Sequence, residues 1–116
     1  MAKRTKSPGL DVLLSLNGHV FHQQNGNWSR FEAWEVEPTP AITHGIRYNL
    51  TFHDRWNHRI VGFDNSHAIK PLKKKRFSGR LVTWDHKHER EHIEAYEFES
   101  PEQLIEKFWE TVKLYD

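Results

Sequence analysis

Ile46-Arg47-Tyr48-Asn49-Leu50-Thr51-Phe52-His53 alternates without a break: Ile46, Tyr48, Leu50 and Phe52 face one way, and Arg47, Asn49, Thr51 and His53 the other. A period of two is that of a strand with one buried face. Downstream, Arg55-Trp56-Asn57-His58 reads as its turn, and residues 59–63 as a return strand ending at Asp64-Asn65. Upstream, two apolar-rich runs, residues 19–24 and 28–36, flank Asn25-Gly26-Asn27. Asn-Gly between such runs predicts a hairpin with a type I′ turn, which needs positive φ at both central residues. Pro38 and Pro40 then break the ladder, since neither donates a backbone hydrogen bond. Residues 81–88 and 93–98 are two further strands, Tyr96 and Phe98 sharing a face. Ser100-Pro101-Glu102-Gln103 is a well-written helix start, with an N-cap, a proline at the first helical position and Gln at the capping-box position. Leu104, Ile105, Phe108, Trp109, Val112 and Tyr115 follow at helical spacing. Residues 10–16 form a short apolar segment whose periodicity fits a helical turn or a strand equally. Strands followed by a helix define the expected class as α+β: a mainly antiparallel sheet with hairpins and a C-terminal amphipathic helix packed on one face.

The 116 residues hold one domain's worth of sequence, expected as residues 10–116 behind a basic flexible arm of residues 1–9. No apolar run is long enough for a membrane span, and the basic start lacks a signal peptide's apolar segment, so a cytoplasmic protein without membrane attachment is expected. With no cysteine, disulfides and thiolate metal ligands are excluded, and zinc fingers with them. Five Trp and 13% aromatic residues oppose disorder and point to a small aromatic core. The net charge of +1 hides an asymmetry: residues 1–88 carry 14 Lys/Arg against 7 Asp/Glu, and residues 89–116 carry 3 against 9. Lys70, Lys73, Lys74, Lys75, Arg76 and Arg80 follow one another with no acid between them, which suits a phosphate backbone; a solvated loop accounts for the run equally.

Nine His in a chain of this length direct attention to proton transfer or metal binding. In Asp85-His86-Lys87-His88, a strand places His86 and His88 on one face, roughly 6.6 Å apart along the chain, with Asp85 and Lys87 opposite. Asp64-Asn65-Ser66-His67 ends the neighbouring strand, so Asp64 and His67 are expected to meet His86 and His88 on adjacent strand ends. The bland alternatives are a charged strand end and ordinary Asx-turn chemistry. Arg47 on the polar face of the first strand offers a guanidinium fork for phosphate, and Lys87 a further cation. His19, His22, His44 and His58 are assigned to surface or packing. The Trp residues are assigned to the core, with Trp56 beside Arg55 and His58 as the one candidate for base stacking. Gly-rich phosphate loops, nucleophile elbows and His-Glu-x-x-His are absent.

His44-Gly45-Ile46 leading into the Tyr48-x-Leu50 strand, Arg59-Ile60-Val61-Gly62-Phe63-Asp64-Asn65-Ser66-His67, Asp85-His86-Lys87-His88, and Tyr96-x-Phe98 before the helix with Phe108-Trp109 together resemble the TumE family over residues 19–116. Ser66, where a small Ala is usual, and a long basic loop are the departures. The resemblance implies a growth-arresting toxin encoded beside a helix-turn-helix antitoxin; it does not imply a reaction.

Three chemistries are open for such a toxin. A metal-independent ribonuclease would use His67 with His86 or His88 as base and acid, Asp64 to orient an imidazole, and Arg59 or Lys87 to meet the developing phosphorane charge. RNA would then be held by Arg47, Lys73, Lys74, Lys75, Arg76, Arg80 and Lys87. A metal-dependent phosphodiesterase or nucleotidyl-transfer enzyme would turn His67, His86, His88 and Asp64 into ligands of a divalent ion. A non-catalytic module would act by occupying RNA or a protein partner. The first needs no cofactor and is favoured, a divalent metal remains open, and the acidic C-terminal helix leaves a homo-oligomer open.

Overall fold

The computed structural model describes residues 9–40, 42–65 and 85–115. Helix α1 (Leu10–Ser15) precedes strands β1 (Val20–His22), β2 (Trp28–Glu35), β3 (Ile46–His53), β4 (Arg59–Asp64), β5 (His86–Glu89) and β6 (His92–Ala95), and helix α2 (Pro101–Lys113) closes the chain. The strands form one antiparallel sheet in sequence order, β1 to β6. This is the expected α+β class, and the undecided segment at 10–16 resolves as helix because Leu13 is wholly buried. None of the helices among the described residues is long and apolar enough to cross a membrane.

Two local details differ from the sequence expectation. The first hairpin forms, but only Gly26 has positive φ, +94°, and Gly26 N–H donates to Gln23 C=O at 3.1 Å. That is a type I turn closed by a left-handed glycine, because Asn25 turns its side chain onto Asn27 N–H at 2.9 Å and keeps ordinary φ. The last strand stops at Ala95 instead of reaching residue 98. Tyr96 N–H still donates to Asp85 C=O at 3.0 Å, after which the chain departs, and both rings pack inward: Tyr96 meets Phe63 edge-on at 5.0 Å, and Phe98 stacks on His44 at 3.9 Å.

The core lies between one face of the sheet and the two helices. Phe31, Tyr48, Leu50, Phe52, Val61 and Phe63 supply the sheet side, and Leu13, Leu104, Phe108 and Val112 the helix side. Phe108 meets Phe31 edge-on at 5.2 Å, and Trp109 packs over Phe31 at 5.6 Å. Helix α2 begins where its cap dictates, with Ser100 Oγ accepting from Gln103 N–H at 3.1 Å. With the helices on one side, strand alternation sends a second set of residues to the opposite face. The register aligns Arg30, Thr51, Gly62 and His88 in one row, and Glu32, Asn49, Asp64 and His86 in the next.

Candidate functional site

The rows just described bring Asp64, His86 and His88 together. His86 Nε2 stands 2.9 Å from Asp64 Oδ1, and His88 Nε2 3.4 Å from Asp64 Oδ2. The two imidazoles meet at 4.7 Å between centroids, nearly edge-on. One donor atom from each of the three residues falls within a sphere of contacts no wider than 4.8 Å. All three are buried, His86 completely. Burying a carboxylate costs several kcal/mol unless it is compensated, and here two ring nitrogens approach it at ion-pair distance, although neither approach has hydrogen-bond geometry. His67, the fourth expected member, lies outside the described residues, as do Lys73, Lys74, Lys75, Arg76 and Arg80.

Both flanks of the cluster are tied to the start of β3. After Asp64, Asn65 N–H donates to Tyr48 C=O at 3.3 Å and its buried side chain extends the ladder: Oδ1 accepts from Tyr48 N–H at 3.0 Å, and Nδ2 donates to Ile46 C=O at 2.8 Å. Before His86, Asp85 turns to the helix-covered face, where its Oδ2 accepts from Tyr48 OH at 2.7 Å and from His44 Nε2 at 2.9 Å. His44 Nδ1 accepts from Ile46 N–H at 3.2 Å, so the ring proton sits on Nε2, the tautomer that donates to Asp85. Burial and the adjacent Asp85 carboxylate push the Tyr48 hydroxyl far above its ordinary titration range, which keeps it a donor. His44 packs on Phe98, within the surface-or-packing assignment, and adds to that the hydrogen bond to Asp85. Its role was hidden because its partner lies 41 positions away in sequence and no local pattern announces the pair.

Arg59 is exposed at the head of β4, and its side chain folds back over Gly62, where a Cβ would come within 3.4 Å of the guanidinium. Gly62 is the residue paired directly with His88, so Arg59 lies on the face and in the neighbourhood of the cluster. Arg59 also lines a cavity of about 510 Å³ with Glu89, Arg90, Glu91 and His92. Arg47 lies on this same face, one row beyond Asn49. Lys87 does not: it projects to the helix side over the Phe63 ring, 3.3 Å from Glu89 and 3.8 Å from Glu94.

The Trp residues also depart from expectation. Trp109 is the described one that joins the core; Trp28 lies half-buried on the helix-free face, while Trp34 and Trp56 are 45% and 70% exposed. Trp56 carries Arg55 over its ring at 5.1 Å. Trp28 stacks on His53 at 4.0 Å with the rings 7° from parallel.

A sheet covered by helices on one side, holding a buried carboxylate between two imidazoles on the other, defines a small α+β protein built around a centre able to handle protons or hold a cation. Among known families the chain matches Toxin TumE over residues 17–115, and it belongs to that family. It is accordingly a toxin of a toxin–antitoxin pair, with a cognate antitoxin as partner. No match is found among the curated proteins or the solved structures.

Proposed function

We propose that this toxin arrests growth by cleaving RNA phosphodiesters, with Asp64, His86 and His88 holding a divalent metal ion at the reacting centre. The observation that carries the reading is the convergence of the three donors. Ligands bound at about 2.1 Å stand roughly 3.0 Å apart in an octahedron and about 3.4 Å apart in a tetrahedron. His86 Nε2 and His88 Nε2 stand near these distances from the two different Asp64 oxygens, 2.9 Å from Oδ1 and 3.4 Å from Oδ2, and donors from all three residues lie within 4.8 Å of one another. An acid and a base that work directly on RNA must instead flank the phosphate, and two Nε2 atoms turned onto one carboxylate do not favour that arrangement. Burial of His86 also suits a ligand better than a group that touches substrate.

When bound, such an ion polarises a phosphoryl oxygen and lowers the pKa of a coordinated water. Asp64 supplies the negative charge of the set and both imidazoles bind as neutral ligands. Arg59, over Gly62, neutralises charge gathering on the phosphate in the transition state. Arg47 contributes to strand binding, and Lys73, Lys74, Lys75, Arg76 and Arg80 tether the backbone nonspecifically. His67 is proposed as a further ligand or proton-transfer group. Residues 10–116 act as one domain in the cytoplasm, where RNA is met, and a helix-turn-helix antitoxin restrains it.

Purified protein incubated with total RNA tests this. Cleavage is expected, lost in EDTA, restored by Mn²⁺, and absent from a His86→Ala/His88→Ala double variant. Cleavage that persists in EDTA assigns the cluster to metal-free acid–base catalysis; RNA retention without product points to a binding module.

A further inference from the structure

The register sets a third row across the helix-free face. His22, Trp28, His53 and Arg59 are paired in succession over β1, β2, β3 and β4. At its middle the Trp28 and His53 rings are nearly parallel at contact distance. Around them stand two guanidinium groups: Arg30, one row over from Trp28, and Arg59, at the end of the row. Both are exposed, as is His22. Arg30 is partly neutralised by Glu32 at 3.0 Å, whereas Arg59 makes no ion pair among the described residues.

An uncompensated cation beside a flat aromatic pair is the recurring make-up of a single-strand nucleotide subsite: the π-face takes the base and the guanidinium the phosphate. His53 Nε2 lies 2.9 Å from Thr51 Oγ1 and its Nδ1 is buried, so the ring edge is taken up within the fold and what the ring can offer a ligand is its face. The His53 imidazole is also held below its ordinary pKa, first by burial and then by Arg59, with Asp54 pulling the other way and a smaller push down from Arg30. The stack therefore stays neutral at physiological pH and the positive field comes from the arginines.

We infer that Trp28 and His53 form a base-stacking subsite for single-stranded RNA, with Arg59 gripping the adjoining phosphate. This rests on the proposed RNA-cleaving function and adds where the substrate is held. His53 in β3 and His88 in β5 are two strands apart and one row offset, about 12 Å in all. The stacked base is therefore a near neighbour of the scissile phosphate, and Arg59 on β4 lies between the two. Sequence recognition is weak, because every base has a π-face.

A fluorescein-labelled 2′-O-methyl hexanucleotide in EDTA tests the subsite by anisotropy, against the same backbone lacking its bases. Wild type is expected to prefer the base-bearing strand by about tenfold or more. Trp28→Leu and His53→Ala should erase most of that preference, Trp28→Phe should keep it, and Arg59→Gln should weaken both strands alike. A hexanucleotide carrying 2-aminopurine, titrated with unaltered protein, should show stacking-induced quenching whether or not any variant folds. Binding without quenching, or an unchanged preference in a folded Trp28→Leu protein, overturns the subsite and leaves the RNA reading standing. No affinity of wild type for either strand, with no cleavage of total RNA, overturns both.

Discussion

Asp85 and His86 are consecutive in the chain, yet they serve opposite faces of the sheet. Asp85 Oδ2 accepts from Tyr48 OH at 2.7 Å on the helix-covered side, while His86 Nε2 stands 2.9 Å from Asp64 Oδ1 on the other. Strand alternation makes this unavoidable once β5 is in register, so the Tyr48–Asp85–His44 contacts act as a peg that fixes which way His86 points.

Removing the peg should be costly in a graded way. Asp85→Ala strands the buried Tyr48 hydroxyl and the His44 N–H, at about 1–3 kcal/mol for the buried group. Asp85→Asn keeps an acceptor oxygen and should lose less. Thermal melts of the two variants check this; equal melting temperatures for both would show that the hydrogen bonds contribute nothing.

His53 should titrate below the usual 6.5, because burial and Arg59 both oppose its charged form. The unfolded chain then binds that proton more tightly than the folded one. His53 accordingly costs no stability above about pH 6.5 and costs progressively more as pH falls from there toward its folded value. NMR titration of the imidazole should show a depressed midpoint that rises in Arg59→Gln. A midpoint unmoved by that substitution would remove Arg59 from the ring's surroundings.

Gly62→Ala places a methyl group 3.4 Å from the Arg59 side chain, whose exposed end has room to move. At that ordinary contact distance stability and RNA cleavage should both change little, whereas the larger Gly62→Val should push the guanidinium from beside His88 and lower cleavage several-fold. Parallel melting curves and cleavage rates separate the two effects; full activity in a folded Gly62→Val protein would mean that Arg59 needs no space over Gly62.

Replacing Lys73, Lys74, Lys75 and Arg76 by Ser should weaken RNA binding about equally for all sequences. It should flatten the log–log salt dependence by roughly 0.7 per lost contact. Turnover at saturating substrate should barely change, since uniform binding leaves the chemical step alone. An unaltered salt slope would show those charges to be merely solvated.

The parts of the fold legible in sequence are those written locally. The alternation of Ile46–His53 and the Ser100-Pro101 helix start each depend on a few neighbouring residues, and both stand as read. The Asp64–His86–His88 meeting was legible because two strand ends of one small sheet must lie side by side. Long-range pairing was not. His44 reaches Asp85 across 41 positions, and Trp28 meets His53 only because β2 and β3 pair in that register. Trp28 looks like a core residue by hydrophobicity, and only the covering of the opposite face by α1 and α2 shows that it is not.

Calorimetric titration of metal-stripped protein with Mn²⁺ tests the central claim most directly. One ion per chain should bind to wild type, and binding should be lost in Asp64→Asn and in His88→Gln variants that keep the wild-type circular dichroism spectrum. No Mn²⁺ binding by wild type, together with RNA cleavage undiminished in EDTA, would contradict the account.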